Sequence, residues 1–286
     1  MIDWPNLVVF FVVGASIGSF LNVCIARWPL EQSIVRPPSR CPQCETPIKW
    51  YDNVPILGWI RLGGKCRNCR APISVVYPAV ELAVALGWML SALEYGGSFT
   101  AVRVAVFGTV MLGIATTDAK HYVIPDGFTV FGLLFVLVTS VVSGARAEIT
   151  PFATPWDALI GACAGAGAIA IVGWLGEVAL KKEAMGFGDV TLMAVVGAAL
   201  GPGRALLVIF LGAAVGAITF LFVVYPIVRF RGAGTGGAQM ELPLGARKAM
   251  MPQVPFGVFL APAAVLALVF GQQLLDWYLG QLTGVA

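Results

Sequence analysis

The sequence predicts an all-α polytopic integral membrane protein of about eight transmembrane helices, with a small four-cysteine domain between spans 1 and 2. Three observations carry that prediction. Hydrophobic residues fill 58% of 286 positions and charged residues only 12%, for a mean hydropathy of +0.86. A soluble domain carries roughly 25% charged residues. The apolar residues fall in runs close to the ~20 that cross a bilayer as a helix, and four of the six cysteines share one polar stretch. The net charge of +3 is modest and calls for no nucleic-acid partner.

Span 1 covers residues 5–25; no basic stretch precedes it, so it reads as a retained helix rather than a cleaved signal. A polar segment, 27–77, follows. Span 2 starts near 78 and ends before Gly96-Gly97, span 3 covers 100–116 and span 4 covers 123–142. After a loop containing Pro and Thr, span 5 occupies 158–180. The sixth apolar run, 190–200, is short: eleven residues rise about 16 Å, half of the hydrocarbon core. Either its helix begins near Met185 or Asp189 is recessed below the membrane surface. Span 7 covers 205–228, a glycine-rich segment including 231–237 follows, and span 8 covers 256–278. The small-residue spacings Gly14-x3-Gly18, Gly161-x3-Gly165 and Gly212-x3-Gly216 are read as ordinary helix packing. No internal repeat is apparent. The chain thus divides into helix 1 (1–26), the four-cysteine domain (27–77) and a core of about seven helices (78–286).

Eight spans put both termini on one side. Segment 27–77 holds Arg27, Arg36, Arg40, Lys49, Arg61, Lys65, Arg67 and Arg70, and later loops of that side add Lys120, Lys181, Lys182, Arg229, Arg231, Arg247 and Lys248. Only Arg103, Arg146 and Arg204 fall opposite. Lys and Arg accumulate in cytoplasmic loops, so the four-cysteine domain is expected in the cytoplasm and the termini outside.

Cys41, Cys44, Cys66 and Cys69 form C-x2-C-x21-C-x2-C. Four thiolates at this spacing close a tetrahedral zinc site, each pair on its own turn. The alternatives are two disulfides or free thiols, and a cytoplasmic location disfavours disulfides. A domain of about fifty residues with little apolar content gains from a metal staple. The expectation is a structural Zn with no open coordination position, its thiolates favoured by Arg40, Lys65, Arg67 and Arg70. Cys24 and Cys163 lie inside apolar helices and read as packing residues.

Among the acids, Asp118 and Asp189 stand out. Each lies at an end of an apolar run, and the topology brings both to the cytoplasmic border. An acid there is costly unless it has a partner or a task. In Met185-Gly186-Phe187-Gly188-Asp189 the two glycines leave room for a backbone or a substrate chain to approach. Asp126 follows Pro125 and suits a turn or the start of span 4. His121 is the only histidine, which excludes a histidine-based zinc hydrolase site. Two nearby carboxyls need no histidine: repulsion keeps one protonated, the ionised one takes a proton from water, and the other polarises a scissile carbonyl.

At these residues the chain resembles the prepilin peptidases, within the wider group of Gly-x-Gly-Asp intramembrane aspartyl proteases. The resemblance runs through Gly18-Ser19-Phe20-Leu21-Asn22-Val23, the cysteine loop with Asp52-Asn53-Val54-Pro55-Ile56-Leu57-Gly58-Trp59, and Tyr77-Pro78-Ala79-Val80-Glu81-Leu82. It continues through 118–126, Glu183-Ala184-Met185-Gly186-Phe187-Gly188-Asp189 and Val254-Pro255-Phe256-Gly257. It implies that Asp118 and Asp189 are the catalytic pair, with Gly186, Gly188 and Asp126 in support. It further implies a bacterial inner-membrane enzyme that removes the basic leader of type IV prepilin or pseudopilin precursors, cutting after a glycine on the cytoplasmic side. Many members then N-methylate the new N-terminus with S-adenosylmethionine, for which no glycine-rich nucleotide signature is visible. Thr191 stands where many relatives carry Lys, and the segment 231–248 has no assigned role. Membrane lipid is the other expected partner, through the basic loops. Two other readings stay open: an ion transporter or channel using its intramembrane acids, and a zinc-containing assembly component without catalysis.

Overall fold

The structure, a computed structural model, describes residues 3–146, 148, 150–181, 185–226 and 255–283. The expectations placed on Lys182, Glu183, Ala184, Arg229, Val254 and the segment 231–248 fall outside these residues, as does the end of span 7 beyond Pro226.

Nine α-helices are described. Helix α1 (Trp4–Arg27) enters through Pro5 in its first turn and runs into a 3-10 turn, Trp28–Leu30. A second 3-10 turn (Trp50–Asp52) and the short α2 (Leu57–Arg61) belong to the cysteine domain. Then come α3 (Val76–Tyr95), α4 (Phe99–His121), α5 (Asp126–Ala145), α6 (Pro155–Leu180), α7 (Phe187–Leu200), α8 (Pro202–Thr219), extended by a π-turn at Phe220–Val224, and α9 (Gly257–Thr283). Seven are long and apolar enough to cross a membrane; α7, with fourteen residues, is the short eighth apolar helix. The bundle turns apolar residues outward, as in Val8, Val9 and Val12 of α1 and Leu134, Val138 and Val141 of α5. Only a lipid surround makes such an exterior favourable.

Local chemistry sets the helix ends. Ser98 Oγ accepts the Ala101 amide at the start of α4, and Thr154 Oγ1 accepts the Asp157 amide at the start of α6. Helix α4 closes where Tyr122 turns left-handed and its amide donates to the Asp118 carbonyl; Lys181 closes α6 in the same manner. Gly201, at φ +81°, breaks the chain between α7 and α8, with Pro202 opening the new helix.

Helices α4 and α7 form the centre. Helix α4 packs on α1, α3, α5 and α9, and α7 packs on α5, α6, α8 and α9. Leu192, Met193 and all of Val195 to Leu200 are buried, so α7 meets protein where a full-length span would meet lipid. That resolves the short sixth run: its helix starts at Phe187, and neighbouring helices cover what it does not reach. The glycine spacings pack inside this chain. Gly161 and Gly197 abut so closely that a methyl on either would run into the other's carbonyl, and Gly165 seats on the Met193 carbonyl. Gly18 rests on Glu81 of α3, where a Cβ would lie 2.8 Å from the Glu81 Cα.

The far ends of α4 and α7 are tied through residues 150–153. The fully buried Arg103 guanidinium donates to Ser143 Oγ at 2.8 Å and stands 4.1 Å from the Phe152 ring. Arg204 donates to the Leu200 and Pro151 carbonyls, and the Ala153 amide donates to the Ala199 carbonyl.

Replacing Gly161 or Gly197 with Ala is expected to cost about 1–3 kcal/mol, read as a lower thermal midpoint in detergent. Gly87→Ala and Gly108→Ala, at helical positions with no neighbouring atom within 4 Å, should leave stability unchanged or raise it by up to ~1 kcal/mol.

Candidate active site and metal centre

Asp118 occupies the last turn of α4 and Asp189 the first turn of α7, helices that run in opposite directions, so both carboxyls arrive at the same end of the bundle. They are close enough to act on each other electrostatically. The Asp118 side chain belongs to a residue only 5% exposed. Its Oδ2 accepts the Val258 amide at 3.2 Å, one of the unpaired N–H groups that open α9. Gly257 makes that approach possible, since a Cβ there would sit 2.8 Å from Asp118 Oδ2. Ile124 joins the parts: its side chain lies 2.9 Å from the Cβ position of Gly188 and 3.1 Å from that of Gly257. Asp118, the Gly188-Asp189 peptide and the start of α9 therefore converge around one isoleucine.

The other expected residues fall differently. Gly186 caps α7 and its carbonyl accepts the Asp189 amide at 3.1 Å, with open space around the glycine itself. Asp126 is exposed in the first turn of α5, where its charge suits the helix dipole. His121 is exposed at the end of α4. Thr191 folds its hydroxyl back onto the Gly188 carbonyl at 3.0 Å. The residues that sequence reasoning left without a task are Gly257 and Val258. The Pro-Phe-Gly entry to a long apolar run was the available signal, because glycine in the first turn exposes backbone amides.

The cysteine domain lies at the same end as the two acids: Trp28, at its start, packs edge-on against Phe128 of α5 with ring centres 4.4 Å apart. The four sulfurs lie within 4.8 Å of one another, with Cys41–Cys69 at 3.7 Å and Cys44–Cys66 at 4.0 Å. A tetrahedral ion with metal–sulfur bonds of about 2.3 Å sets sulfurs about 3.8 Å apart along each edge. Disulfides would need ~2.05 Å, and all four cysteines are free thiols. The donor set fits one tetrahedral metal ion.

Each cysteine pair sits on a turn of the same build. The amides of Cys41 and Cys66 donate to the carbonyls of Thr46 and Ala71, and those of Glu45 and Arg70 donate back to Cys41 and Cys66. Glu45 and Arg70 are both left-handed, and Arg40–Pro47 and Lys65–Pro72 are matching bridges. This is a repeat with an offset of twenty-five residues, visible afterwards in Arg40-Cys-Pro-Gln-Cys-Glu-Thr-Pro-Ile48 and Lys65-Cys-Arg-Asn-Cys-Arg-Ala-Pro-Ile73. It corrects the expectation of no internal repeat. Thr46 holds the Cys44 thiol down to about 6, and the Cys69 and Asn68 amides lower that of Cys66. The expected help from basic side chains is redirected. Arg67 makes two hydrogen bonds, at 2.6 and 2.7 Å, to Asp52, whose side chain is 4% exposed, and holds that carboxyl below its ordinary range. Arg40 pairs with Glu45 at 3.4 Å.

Between this domain and the adjoining ends of α1 and α3 runs a cleft of about 1530 Å³, with Ser19, Asn22, Arg36, Trp59, Tyr77 and Glu81 among its walls.

Two family models match the chain: the bacterial peptidase A24 N-terminal domain over residues 12–95 and the type IV leader peptidase family over residues 105–221. A prepilin leader peptidase/N-methyltransferase of Myxococcus xanthus is 40% identical over 68% of this chain and 57% of its own length. A type 4 prepilin-like proteins leader peptide-processing enzyme of Escherichia coli is 36% identical over 65% of this chain and 74% of its own. A prepilin leader peptidase/N-methyltransferase of Aeromonas hydrophila is 30% identical over 97% of this chain and 95% of its own. No solved structure matches.

Elemental analysis of the purified protein is expected to find about one metal ion per chain. Cys44→Ser or Cys66→Ser should lower that occupancy, and acid should release the ion as protons compete for the thiolates. Removal by chelator should raise amide exchange across 39–74 while leaving the helices of the bundle protected.

Proposed function

Because this chain belongs to the type IV leader peptidase family, we propose that it is a membrane-embedded aspartyl endopeptidase whose working groups are Asp118 and Asp189. The single observation that supports the pair is their convergence, from helices seventy residues apart in sequence, on the polar entry of α9. Two carboxyls brought close together share one proton, since repulsion disfavours the doubly ionised state. In the proposed reaction the ionised member draws a proton from a water, which attacks the scissile carbonyl. The protonated member donates to the carbonyl oxygen, and a proton returns to the leaving amine. Val258 keeps Asp118 aimed by its backbone donor, and the open space at Gly186 leaves room for a peptide in extended form beside the acids. Asp126, one turn of chain away, supports the same border.

The names of the relatives supply the substrate class: the basic leader of a type IV prepilin-like precursor. The count of basic residues supports an inner-membrane protein with termini outside and the acids facing the cytoplasm. Residues 27–77 then form a cytoplasmic domain held by a structural zinc ion on Cys41, Cys44, Cys66 and Cys69, beside a catalytic core of residues 78–286. The second activity in the relatives' names, N-methylation, calls for S-adenosylmethionine. The cleft over α1 and α3 is large enough for that group, and Arg36 would suit its carboxylate and Tyr77 its ring, beside the Glu81 carboxylate that Ile56 holds in place. When bound it supplies a methyl group to the freed amino terminus.

Asp118→Asn and Asp189→Asn are each expected to lower cleavage of a prepilin substrate in membranes by about 10²–10⁴-fold or more, with metal content and thermal midpoint preserved. Full activity in either variant would end the two-acid reading. Gly257→Ala should cost about 10²-fold in kcat by displacing Asp118, while Gly87→Ala is silent. Mass spectrometry of the product's amino terminus, with S-adenosylmethionine present, tests methylation.

A further inference from the structure

Helix α2 exposes two aliphatic side chains, in a domain that also exposes Val35, Ile48, Trp50 and Val75. Leu57 is 64% exposed and Ile60 is 61% exposed, and residues three apart share one face of a helix. The opposite side of α2 is fully engaged: Gly58 packs on the Asp52 carbonyl, and Trp59 covers Gly64 and donates to the Ile73 carbonyl at 3.1 Å. The outward face is thus held in place by rigid contacts behind it.

Its height is set by one buried hydrogen bond. The Ile56 amide, immediately before α2, donates to Glu81 Oε2 at 2.7 Å. Glu81 lies five residues into α3, a rise of about 8 Å along a helix that crosses the membrane. The start of α2 is therefore level with the first turns of α3, not suspended in solvent beyond it. Leu82, next to Glu81 in α3, is itself exposed. Lys49, ahead of α2, and Arg61, its last residue, both stand over the Tyr51 ring, at 5.7 and 5.4 Å; Arg61 also pairs with Asp52 at 3.3 Å, and Trp50 is exposed. Aromatic and basic residues around a short aliphatic face are the composition of a headgroup-level contact.

We infer that α2 is an interfacial anchor: Leu57 and Ile60 sit in the headgroup and upper acyl layer of the bilayer, with Lys49 and Arg61 at the level of anionic lipid phosphates. This seats the cysteine domain on the membrane and holds the cleft mouth at the lipid surface. The inference rests on the membrane reading of the bundle and is independent of what Asp118 and Asp189 do.

The test places a genetically encoded fluorescent amino acid at position 57 or 60, or at the control position 45 on the first cysteine turn. The full chain, metal-loaded, is reconstituted in phosphatidylcholine vesicles with or without phosphatidylglycerol. Lipids brominated near the headgroup should quench positions 57 and 60 at least about twofold more than position 45, and aqueous iodide should show the reverse order. Leu57→Asp should raise iodide quenching at position 60, with metal content unchanged, and phosphatidylglycerol should deepen the lipid quenching. Equal iodide access at all three positions would overturn the anchor. So would shielding that appears only as protein density in the vesicles rises, which would make the face a contact between copies of this chain.

Discussion

A carboxyl inside a helix bundle has few ways to be satisfied, because helical backbone keeps its own donors occupied and no bulk water is at hand. The exception is a helix start, where amides have no partner within the helix. Asp118 takes that exception: the entry of α9 meets it from the side, and Gly257 removes the one atom that would block the approach. The geometry around the acids depends on this contact, since Ile124 packs against Gly257 on one side and Gly188 on the other.

Holding two acids at one border also needs the helices that carry them to keep their height. Helix α7 is too short to be set by the membrane alone, so its position comes from protein. Interlocked glycines fix it against α6, and α5 and α9 pack on both α4 and α7. At the opposite end, Arg103 and Arg204 engage the connecting residues 150–153 from α4 and from the start of α8. Buried arginines are expensive in a membrane and earn their place by satisfying carbonyls, hydroxyls and an aromatic face at once. The two aspartate helices are thereby braced at the end opposite Asp118 and Asp189.

The cysteine domain solves a different problem. It has almost no apolar core, and its order comes from two copies of one turn brought face to face so that four sulfurs define a tetrahedron. Asp52 and Arg67 join the second turn to the 3-10 turn ahead of α2, and Glu81 joins α2 to the membrane helices. Two polar contacts thus connect the metal centre to the bundle. Glu81 and Asn22 are the buried polar residues of that junction, since Asn22 donates to the Tyr77 carbonyl.

Much of this was legible in the residues. Apolar runs of bilayer length determined the spans, and the C-x2-C pairs determined the metal-type domain, because both are local patterns in which spacing alone sets the geometry. Asp118 and Asp189 could be singled out, since acids at the ends of apolar runs are costly wherever the chain goes. The turn repeat is present in the letters but faint, being two short stretches among dissimilar loops. What only the tertiary structure decided is which backbone meets which side chain. The amide of Val258 reaching Asp118 across one hundred and forty residues, the arginine of a cysteine turn choosing Asp52 over the sulfurs, and Glu81 setting the height of α2 leave no periodic trace. Such contacts follow from how helices stack in three dimensions, and the sequence specifies that stacking only through all of its packing at once.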